Sequence, residues 1–154
     1  ERLLPMETIW KKDVSFEAIK QFINDTIVAH VGIKYIEKGA NYLKATMPVD
    51  NRTRQPLGIL HGGASVVLAE SLGSMASHLT LDENHYSVGL EIKANHIRSV
   101  QNGKVVGTVK PIHLGKTTQV WDITIKDEQD QLVCVSRLTL MVLEGQVENL
   151  FPKT

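Results

Sequence analysis

The sequence is short of several features that mark common classes of protein. Its 154 residues include one cysteine, Cys134, so no disulfide can form within the chain and a site built from several thiolates is excluded. No apolar run approaches the roughly 20 residues that a membrane-spanning helix needs, and the first residues show no signal-peptide pattern. We therefore predict a cytoplasmic protein with no membrane partner, in which Cys134 is a small buried apolar residue.

Neither sign of charge dominates, because 17 Lys and Arg residues balance 17 Asp and Glu residues. Proteins that bind nucleic acid usually carry a basic face, so no nucleic-acid partner is predicted. The six histidines show neither HExxH nor HxH spacing, and we predict no metal site. The absence of GxSxG and of a P-loop pattern disfavours an α/β-hydrolase and a P-loop protein.

A chain of this length usually forms one domain, which we predict over residues 6–143. Residues 1–5 precede Met6 and are left out of the prediction of the fold. Residues 144–154 follow the last apolar run and have no clear pattern, so we expect them to be irregular.

The first part of this domain mixes helical and strand-like patterns. The spacing of apolar residues predicts a short helix over residues 15–23, with Ser15 as its cap. Alternating apolar residues predict strands over residues 30–37 and 41–49. Residues 50–60 are mostly polar and contain Pro and Gly, which predicts a loop.

Residues 61–79, HGGASVVLAESLGSMASHL, are small or apolar on almost every side and predict a long helix buried all round. The runs that follow are rich in Val, Ile and Thr and are separated by short turn signals, of which Asn102-Gly103 is the strongest for a hairpin. One apolar helix followed by antiparallel strands predicts an α+β domain whose sheet curls around the helix. The four strands are predicted over residues 86–98, 104–113, 117–126 and 131–143.

Glu70 is a candidate for chemistry because it lies in the middle of the long apolar helix. Burying a carboxylate is costly unless it is paired or functional. Ser74 lies one turn further along the same face and is within reach of a hydrogen bond. The alternative is a surface or salt-bridged glutamate on a helix that is only partly buried.

Gly62 and Gly63 stand where the loop becomes the helix. Free N–H groups at a helix N-terminus attract developing negative charge, and a glycine lets a carbonyl group approach them closely. That is what an oxyanion hole requires. The alternatives are a plain turn at the glycines, a capping or surface role for His61, and a structural role for His96 in its strand.

Four stretches of the chain together resemble a known family. Residues 47–74, MPVDNRTRQPLGILHGGASVVLAESLGS, are followed by VGLEIKANHIR, IHLGKTTQVW and VSRLTL. Over residues 26–143 the chain resembles hotdog-fold acyl-CoA thioesterases of the phenylacetate-degradation and Arthrobacter-type 4-hydroxybenzoyl-CoA branch. Within it, the chain is most similar to the group of 1,4-dihydroxy-2-naphthoyl-CoA and enterobactin proofreading thioesterases. The combination of HGG with AES is specific to this branch.

The resemblance implies a hotdog fold, with a curled antiparallel sheet around one long central helix, and hydrolysis of acyl-CoA esters, typically with aromatic acyl groups. It implies that Glu70 is the nucleophile or the general base and that the Gly62 N–H polarises the thioester carbonyl. It places Gln55 in support of that site, and His61 beside the substrate or the leaving thiolate.

The same resemblance implies that Ser74 lies near the attacking water or the acyl ring and that His96 contacts the pantetheine or the acyl group. Arg98 and Lys116 would meet CoA phosphates, although ordinary solvated charges are the alternative. The residues implied to bind CoA or the acyl group are Val88, Gly89, Arg98, Ser99, Leu114, Gly115 and Lys116.

The family also implies how the chain assembles. We expect a homodimer whose sites take Glu70 from one subunit and Gln55 and His61 from the other, and a homotetramer formed as a dimer of dimers. CoA is part of the substrate, so no cofactor is expected, and a thioester on an acyl-carrier protein is a second possible substrate. An enoyl-CoA hydratase and a non-catalytic acyl-CoA binding module are the alternative functions on this fold.

Overall fold

The computed structural model describes residues 7–150. In that range the chain forms four helices and six strands. In chain order they are α1 Phe16–Ile23, α2 Ile27–His30, β1 Lys34–Lys38, β2 Leu43–Pro48, α3 Gly62–Thr80, β3 His85–His96, β4 Lys104–Leu114, β5 Thr118–Lys126, β6 Leu132–Glu144 and α4 Val147–Leu150.

The six strands form one antiparallel sheet in the order β1-β2-β4-β5-β6-β3. Five of them, β2 to β6, pack against α3, which confirms the predicted α+β domain with a sheet curled around one long helix. Burial of apolar side chains between helix and sheet is the main source of stability in such a layer. The largest fully buried side chains include Trp121, Leu68, Leu72, Leu79, Ile123 and Leu138.

Helix α3 begins and ends within one residue of its predicted bounds, but it is not buried all round. Leu68, Leu72 and Leu79 are completely buried against the sheet, whereas Glu70 and Ser74 are exposed on the opposite side. Within a single chain the sheet covers only part of the helix surface. The alternative interpretation of Glu70, as an exposed residue on a partly buried helix, is correct for the single chain.

The N-terminal segment closes the other end of this helix. The backbone N–H groups of Lys11 and Lys12 donate hydrogen bonds to the Leu79 carbonyl at 2.8 and 3.1 Å. Lys12 Nζ donates to the His78 carbonyl at 3.2 Å. These contacts satisfy carbonyl groups that a helix C-terminus leaves without partners, and they place a positive charge at the negative end of the helix dipole.

The predicted helix over residues 15–23 is confirmed, and Ser15 Oγ accepts a hydrogen bond from the Ala18 N–H at 3.1 Å. The predicted strand over residues 30–37 is wrong at its start. A helical turn, α2, ends at His30, and Gly32 then adopts a φ of 81°, so that β1 begins only at Lys34.

The expectation that Asn102-Gly103 joins a hairpin is also wrong. The two residues do lie in a turn, and Gly103 has a φ of 78°. However, β3 pairs with β6 at one edge of the sheet, and β4 lies between β2 and β5. The chain therefore crosses from the edge to the middle of the sheet between β3 and β4. The other two predicted hairpins, β4–β5 and β5–β6, are confirmed.

The ends of the chain differ in part from the prediction. Strand β3 ends at His96 rather than Arg98, and β6 continues to Glu144. In the segment that we expected to be irregular, Val147–Leu150 form one turn of helix. Residues 1–6 and 151–154 lie outside the described part of the chain.

Candidate active site

The loop before α3 ends in a capped helix N-terminus. His61 is the cap residue, and its Nδ1 accepts a hydrogen bond from the Gly63 N–H at 2.7 Å. Because Nδ1 accepts this bond, the proton of a neutral His61 ring lies on Nε2, from which it can be donated to a ligand. Gly62 is the first residue of the helix, and among residues 7–150 its own N–H has no acceptor. The structure thus presents one unused backbone donor at the positive end of the helix dipole.

A pocket of about 290 Å³ opens beside this helix N-terminus. The Gln55 side chain at its rim is held by a hydrogen bond from the Leu57 N–H to Gln55 Oε1, which leaves the amide nitrogen available. Five of the predicted site residues line the pocket, namely Gln55, Gly62, His96, Arg98 and Ser99.

His96 comes from the end of β3 and lies directly against Gly62. A Cβ atom added to Gly62 would stand 2.7 Å from His96 Nε2, closer than such atoms normally approach. With a side chain at this position, the imidazole ring would have to shift away from the first turn of α3. His96 is exposed, and within residues 7–150 it forms no side-chain hydrogen bond, so both of its ring nitrogens are available to a ligand.

Glu70 lies in a second cluster, on the exposed side of α3 and against β3. A Cβ atom on Gly89 would stand 3.1 Å from Glu70 Oε1, so the carboxylate lies directly over the backbone of the strand. Ser74 shares this face one turn later, but no hydrogen bond joins it to Glu70. Within residues 7–150 the Glu70 carboxylate has no ion pair and no hydrogen bond, so it is accessible and unneutralised.

The two clusters are separate within one chain. Eight residues of helix separate Gly62 from Glu70, which is about 12 Å along the helix axis. On the strand that faces them, seven residues separate Gly89 from His96, which is about 23 Å. A carbonyl group bound at the Gly62 N–H is therefore out of reach of Glu70 of the same chain.

The residues predicted to bind CoA are divided in the same way. Arg98 and Ser99 lie at the helix N-terminus with His96. The turn of Leu114, Gly115 and Lys116 lies at the other end of β3, because Val88 pairs with Met141 on β6 and Met141 pairs with Thr118 next to that turn. Leu114, Lys116 and Arg98 are all exposed.

A larger concavity, of about 920 Å³, lies on the outer face of the sheet. It is lined by charged and hydroxyl side chains that include Lys44, Lys110, Asp122 and Thr124, and it contains none of the predicted site residues. Its charges of both signs are solvated, whereas the smaller pocket combines a free backbone donor with apolar walls. The smaller pocket is therefore the better candidate for chemistry.

Residues 57–134, which include the helix N-terminus, Glu70 and the pocket strand, match the sequence profile of the Thioesterase superfamily. The chain belongs to the thioesterase superfamily. It is a thioester hydrolase, since that is the activity of the family, and the hydratase and the non-catalytic binding module become less favoured alternatives.

Named relatives of this thioesterase match it over most of their length. A 1,4-dihydroxy-2-naphthoyl-CoA hydrolase from Escherichia coli K12 is 50% identical over 135 residues, which cover 88% of this chain and 99% of the relative. The proofreading thioesterase EntH of Cronobacter turicensis is 50% identical, with 88% and 98% covered. A crystal structure of a thioesterase from Haemophilus influenzae superposes with a TM-score of 0.88 at 49% identity, covering 89% of this chain and 96% of that one.

Two pocket residues of the thioesterase, Val133 and Ser65, were not predicted from its sequence. Val133 supplies part of the apolar wall, together with Ile59, Leu60 and Ile97, and the buried Ser65 lies behind Gly62. Ser65 follows Gly62 by three residues, and this helical spacing places both on one face. Val133 lies on β6, far from the helix in sequence, so no local pattern identifies it. Within the described residues, no helix is long and apolar enough to cross a membrane.

Proposed function

We propose that this thioesterase hydrolyses aryl-CoA esters in a homodimer, and that each site combines Gly62 and His61 of one subunit with Glu70 of the partner subunit. The observation that carries the proposal is the separation of the two clusters along β3, one at Gly89 and the other at His96. One chain presents a carbonyl-binding half and a carboxylate half that are too far apart to act together.

The free edge of β3 supports this pairing. Within residues 7–150 this 12-residue strand pairs only with β6, and Val88 and Leu90 on it are 39% and 54% exposed. A long, apolar, unpaired edge strand is a template for pairing with another chain. An antiparallel β3–β3 pair about a two-fold axis near Lys93 would bring Gly89 of one subunit close to His96 of the other. Glu70 of each subunit would then face the helix N-terminus of its partner.

In this arrangement the thioester carbonyl oxygen accepts a hydrogen bond from the Gly62 N–H. Negative charge that develops on that oxygen is stabilised by the backbone donor and by the helix dipole. The Nε2–H of His61 is directed outward from the cap and is suited to stabilise or protonate the departing thiolate. The free amide nitrogen of Gln55 supplies a further neutral donor at the pocket rim.

Glu70 of the partner subunit completes the reaction by one of two routes. As a general base it removes a proton from water while the water oxygen attacks the carbonyl carbon, and the C–S bond breaks when the carbonyl reforms. As a nucleophile it attacks the same carbon, releases CoA thiolate and leaves an acyl anhydride that water hydrolyses. Both routes require an unpaired carboxylate, and within residues 7–150 the Glu70 carboxylate has neither an ion pair nor a hydrogen bond.

The name of one relative, a 1,4-dihydroxy-2-naphthoyl-CoA hydrolase, supports an aromatic acyl group and CoA as the carrier. Gly89 and Ser74, next to Glu70 on β3 and α3, have little or no side chain and would leave room for a flat ring. The same dimer would bring Lys116 of one subunit to the end of the strand where Arg98 of the other lies. These two cations would meet CoA phosphates. Assembly into a tetramer and a cytoplasmic location stay predictions.

Release of CoA, followed with a thiol-reactive dye, tests the proposal. The panel contains benzoyl-, 1,4-dihydroxy-2-naphthoyl-, phenylacetyl- and hexanoyl-CoA, together with the preferred acyl group on a carrier protein. We expect rapid release from an aryl-CoA ester and almost none with Glu70→Gln, which keeps the size of the side chain and removes its charge. No release from any ester, with hydration of crotonyl-CoA or binding without turnover, would replace the proposal with one of the two alternatives.

A further inference from the structure

A chain of buried hydrogen bonds crosses the interior beyond the two clusters. Trp121 Nε1 donates to Gln119 Oε1 at 2.9 Å, and Gln119 Nε2 donates to Thr80 Oγ1 at 3.0 Å. Thr80 Oγ1 donates to the Ser77 carbonyl at 2.7 Å, and the hydroxyls of Ser77 and Ser87 are 2.7 Å apart. We refer to these five residues as the polar chain. It connects β5 to the last turns of α3 and then to β3.

Every member but one is nearly inaccessible to water. Trp121 and Ser77 have no exposed surface, Gln119 is 2% exposed and Thr80 is 6% exposed, while Ser87 is half-buried. Polar groups at such positions cost stability unless all of them are hydrogen-bonded. No side-chain nitrogen or oxygen buried among the described residues lacks a partner, so each buried side-chain polar atom of the polar chain makes at least one hydrogen bond.

The protons in the polar chain have one arrangement as far as Ser77. The Trp121 indole can only donate, so the amide oxygen of Gln119 faces it and the amide nitrogen faces Thr80. The Thr80 hydroxyl accepts that bond and uses its only proton on the Ser77 carbonyl. Because no member can turn without breaking a buried bond, the polar chain fixes how the end of α3 sits on β5.

The polar chain is aligned with the carboxylate cluster. Ser77 follows Glu70 by seven residues, which is two turns of helix and about 10 Å along the same face. Ser87 precedes Gly89 by two residues and points to the same side of β3. The contact between Ser77 and Ser87 and the contact between Glu70 and Gly89 are therefore neighbouring points of one helix–strand interface.

We propose that the polar chain positions the catalytic carboxylate, because it sets the rotation and height of α3 against β3 and so holds Glu70 over Gly89. This inference rests on the proposed function, in which Glu70 acts on the thioester. The five members are positioning residues, since none of them reaches the substrate. A loosely held helix would leave the fold intact but would let the carboxylate drift from the carbonyl carbon.

Two variants separate positioning from simple stabilisation. Ser87→Ala leaves the Ser77 hydroxyl buried without its partner and should lower the melting temperature. The double variant Ser77→Ala, Ser87→Ala removes both hydroxyls. Its stability should largely return, because no buried hydroxyl is then left without a hydrogen-bond partner. We expect both variants to lose roughly tenfold to a hundredfold in kcat with KM within about twofold of wild type, since a small misplacement of a reacting group reduces rate more than binding.

Ser136→Ala is the matched control. Ser136 is 4% exposed and its hydroxyl donates to the Lys93 carbonyl at 2.8 Å, so it resembles the polar chain in burial and bonding but does not contact α3 through that bond. This variant should lose stability and keep kcat. Wild-type kcat in the stable double variant, or an equal loss of kcat in Ser136→Ala, would overturn the inference.

Hydrogen exchange gives a second readout that does not depend on substrate. In the double variant, amides in residues 66–74 should exchange roughly tenfold faster than in wild type, while those of β4 should not change. If the wild-type protein released no CoA from any ester, the proposed function would fail. Hydrogen exchange would still test whether the polar chain holds α3 in place. Unchanged exchange in residues 66–74 would show that the polar chain does not hold the helix.

Discussion

The carboxylate of Glu70 lies against the backbone of β3 at Gly89, where a Cβ atom would stand 3.1 Å from Glu70 Oε1. That distance is shorter than ordinary van der Waals contact, so a methyl group at this position requires the carboxylate to move by a few tenths of an ångström. The relationship joins residue 70 on the central helix to residue 89 on the edge strand. It makes the position of the proposed catalytic group depend on the absence of a side chain.

Gly89→Ala should therefore lower activity without lowering stability. The backbone of Gly89 is not in the left-handed region, and alanine has a lower conformational entropy than glycine in the unfolded chain, so the melting temperature should stay the same or rise. We expect kcat for an aryl-CoA ester to fall by about tenfold or more, because the carboxylate moves from its place.

A double-mutant cycle gives the control for this prediction. In a Glu70→Gln background, adding Gly89→Ala should cause no further loss, since no carboxylate remains to be displaced. Equal losses in both backgrounds would mean that the alanine acts through the strand or the CoA site instead of through Glu70.

Shared sites predict complementation between two inactive variants. Glu70→Gln and the double variant Gln55→Ala with His61→Ala should each be nearly inactive as homodimers. A heterodimer of the two has one site with both defects and one intact site. A randomly mixed population should therefore recover about a quarter of the wild-type rate.

The measurement uses the two variants with different affinity tags, co-expressed and purified through both tags in sequence. Each heterodimer should then show about half of the wild-type rate per dimer. If each site were built within one chain, every site in the heterodimer would carry a defect and no activity would return. Light scattering on the same samples gives the number of subunits.

How much the sequence predicts depends on whether the signal is local. The bounds of α3 were predicted within one residue because a run of small and apolar residues begins at a loop with two glycines. Helix α1 was predicted because Ser15 caps it. The start of β1 was not, because Val31, Ile33 and Tyr35 alternate in burial although the backbone turns at Gly32. Alternating burial indicates a strand only where the backbone is extended.

Features that depend on contacts between distant parts of the chain could not be predicted from local sequence patterns. Asn102-Gly103 does form a turn, but which strand lies beside β3 is decided by closure of the whole sheet. Likewise, the sequence placed Gly62 at a helix start, but the contact of His96 with it joins residues 34 positions apart. The resemblance to a family supplied the role of Gln55, which its position in the sequence alone does not indicate.

The contact between Gly62 and His96 predicts a coupled effect. In Gly62→Ala the new methyl group overlaps the imidazole, so the ring must move out of the pocket. We expect catalytic efficiency to fall by roughly tenfold or more even though the backbone N–H remains. The variant with both Gly62→Ala and His96→Ala should be no slower than His96→Ala alone, because the clash is then absent. If the losses of catalytic efficiency in the two single variants instead added up in the double variant, the methyl group would act directly on binding of the thioester carbonyl and not through His96.

Stability should depend on pH through His78, near the end of α3. Its ring stacks on Phe22 of α1 with 6.1 Å between centroids, and burial and the charge of Lys12 lower its pKa below the ordinary 6.5, with Glu83 opposing them. The folded protein thus takes up this proton less readily than the unfolded chain. The contribution of His78 is fully present above pH 6.5 and is lost as the pH falls through 6.5 towards the lower pKa of the folded state.

Urea unfolding of wild type and His78→Gln at intervals between pH 8 and pH 5 measures this effect. The free energy of unfolding should decline with falling pH more steeply in wild type, and the two curves should differ in slope mainly below pH 6.5. The nearby Asp82 has its pKa lowered below 3.8 by its hydrogen bonds to His85 and Asn84, so its own titration falls outside this range. If the two curves of unfolding free energy against pH were parallel, the folded protein would accept a protonated His78 at no cost. The ring would then have to leave its stacked position on Phe22 of α1 without loss of stability.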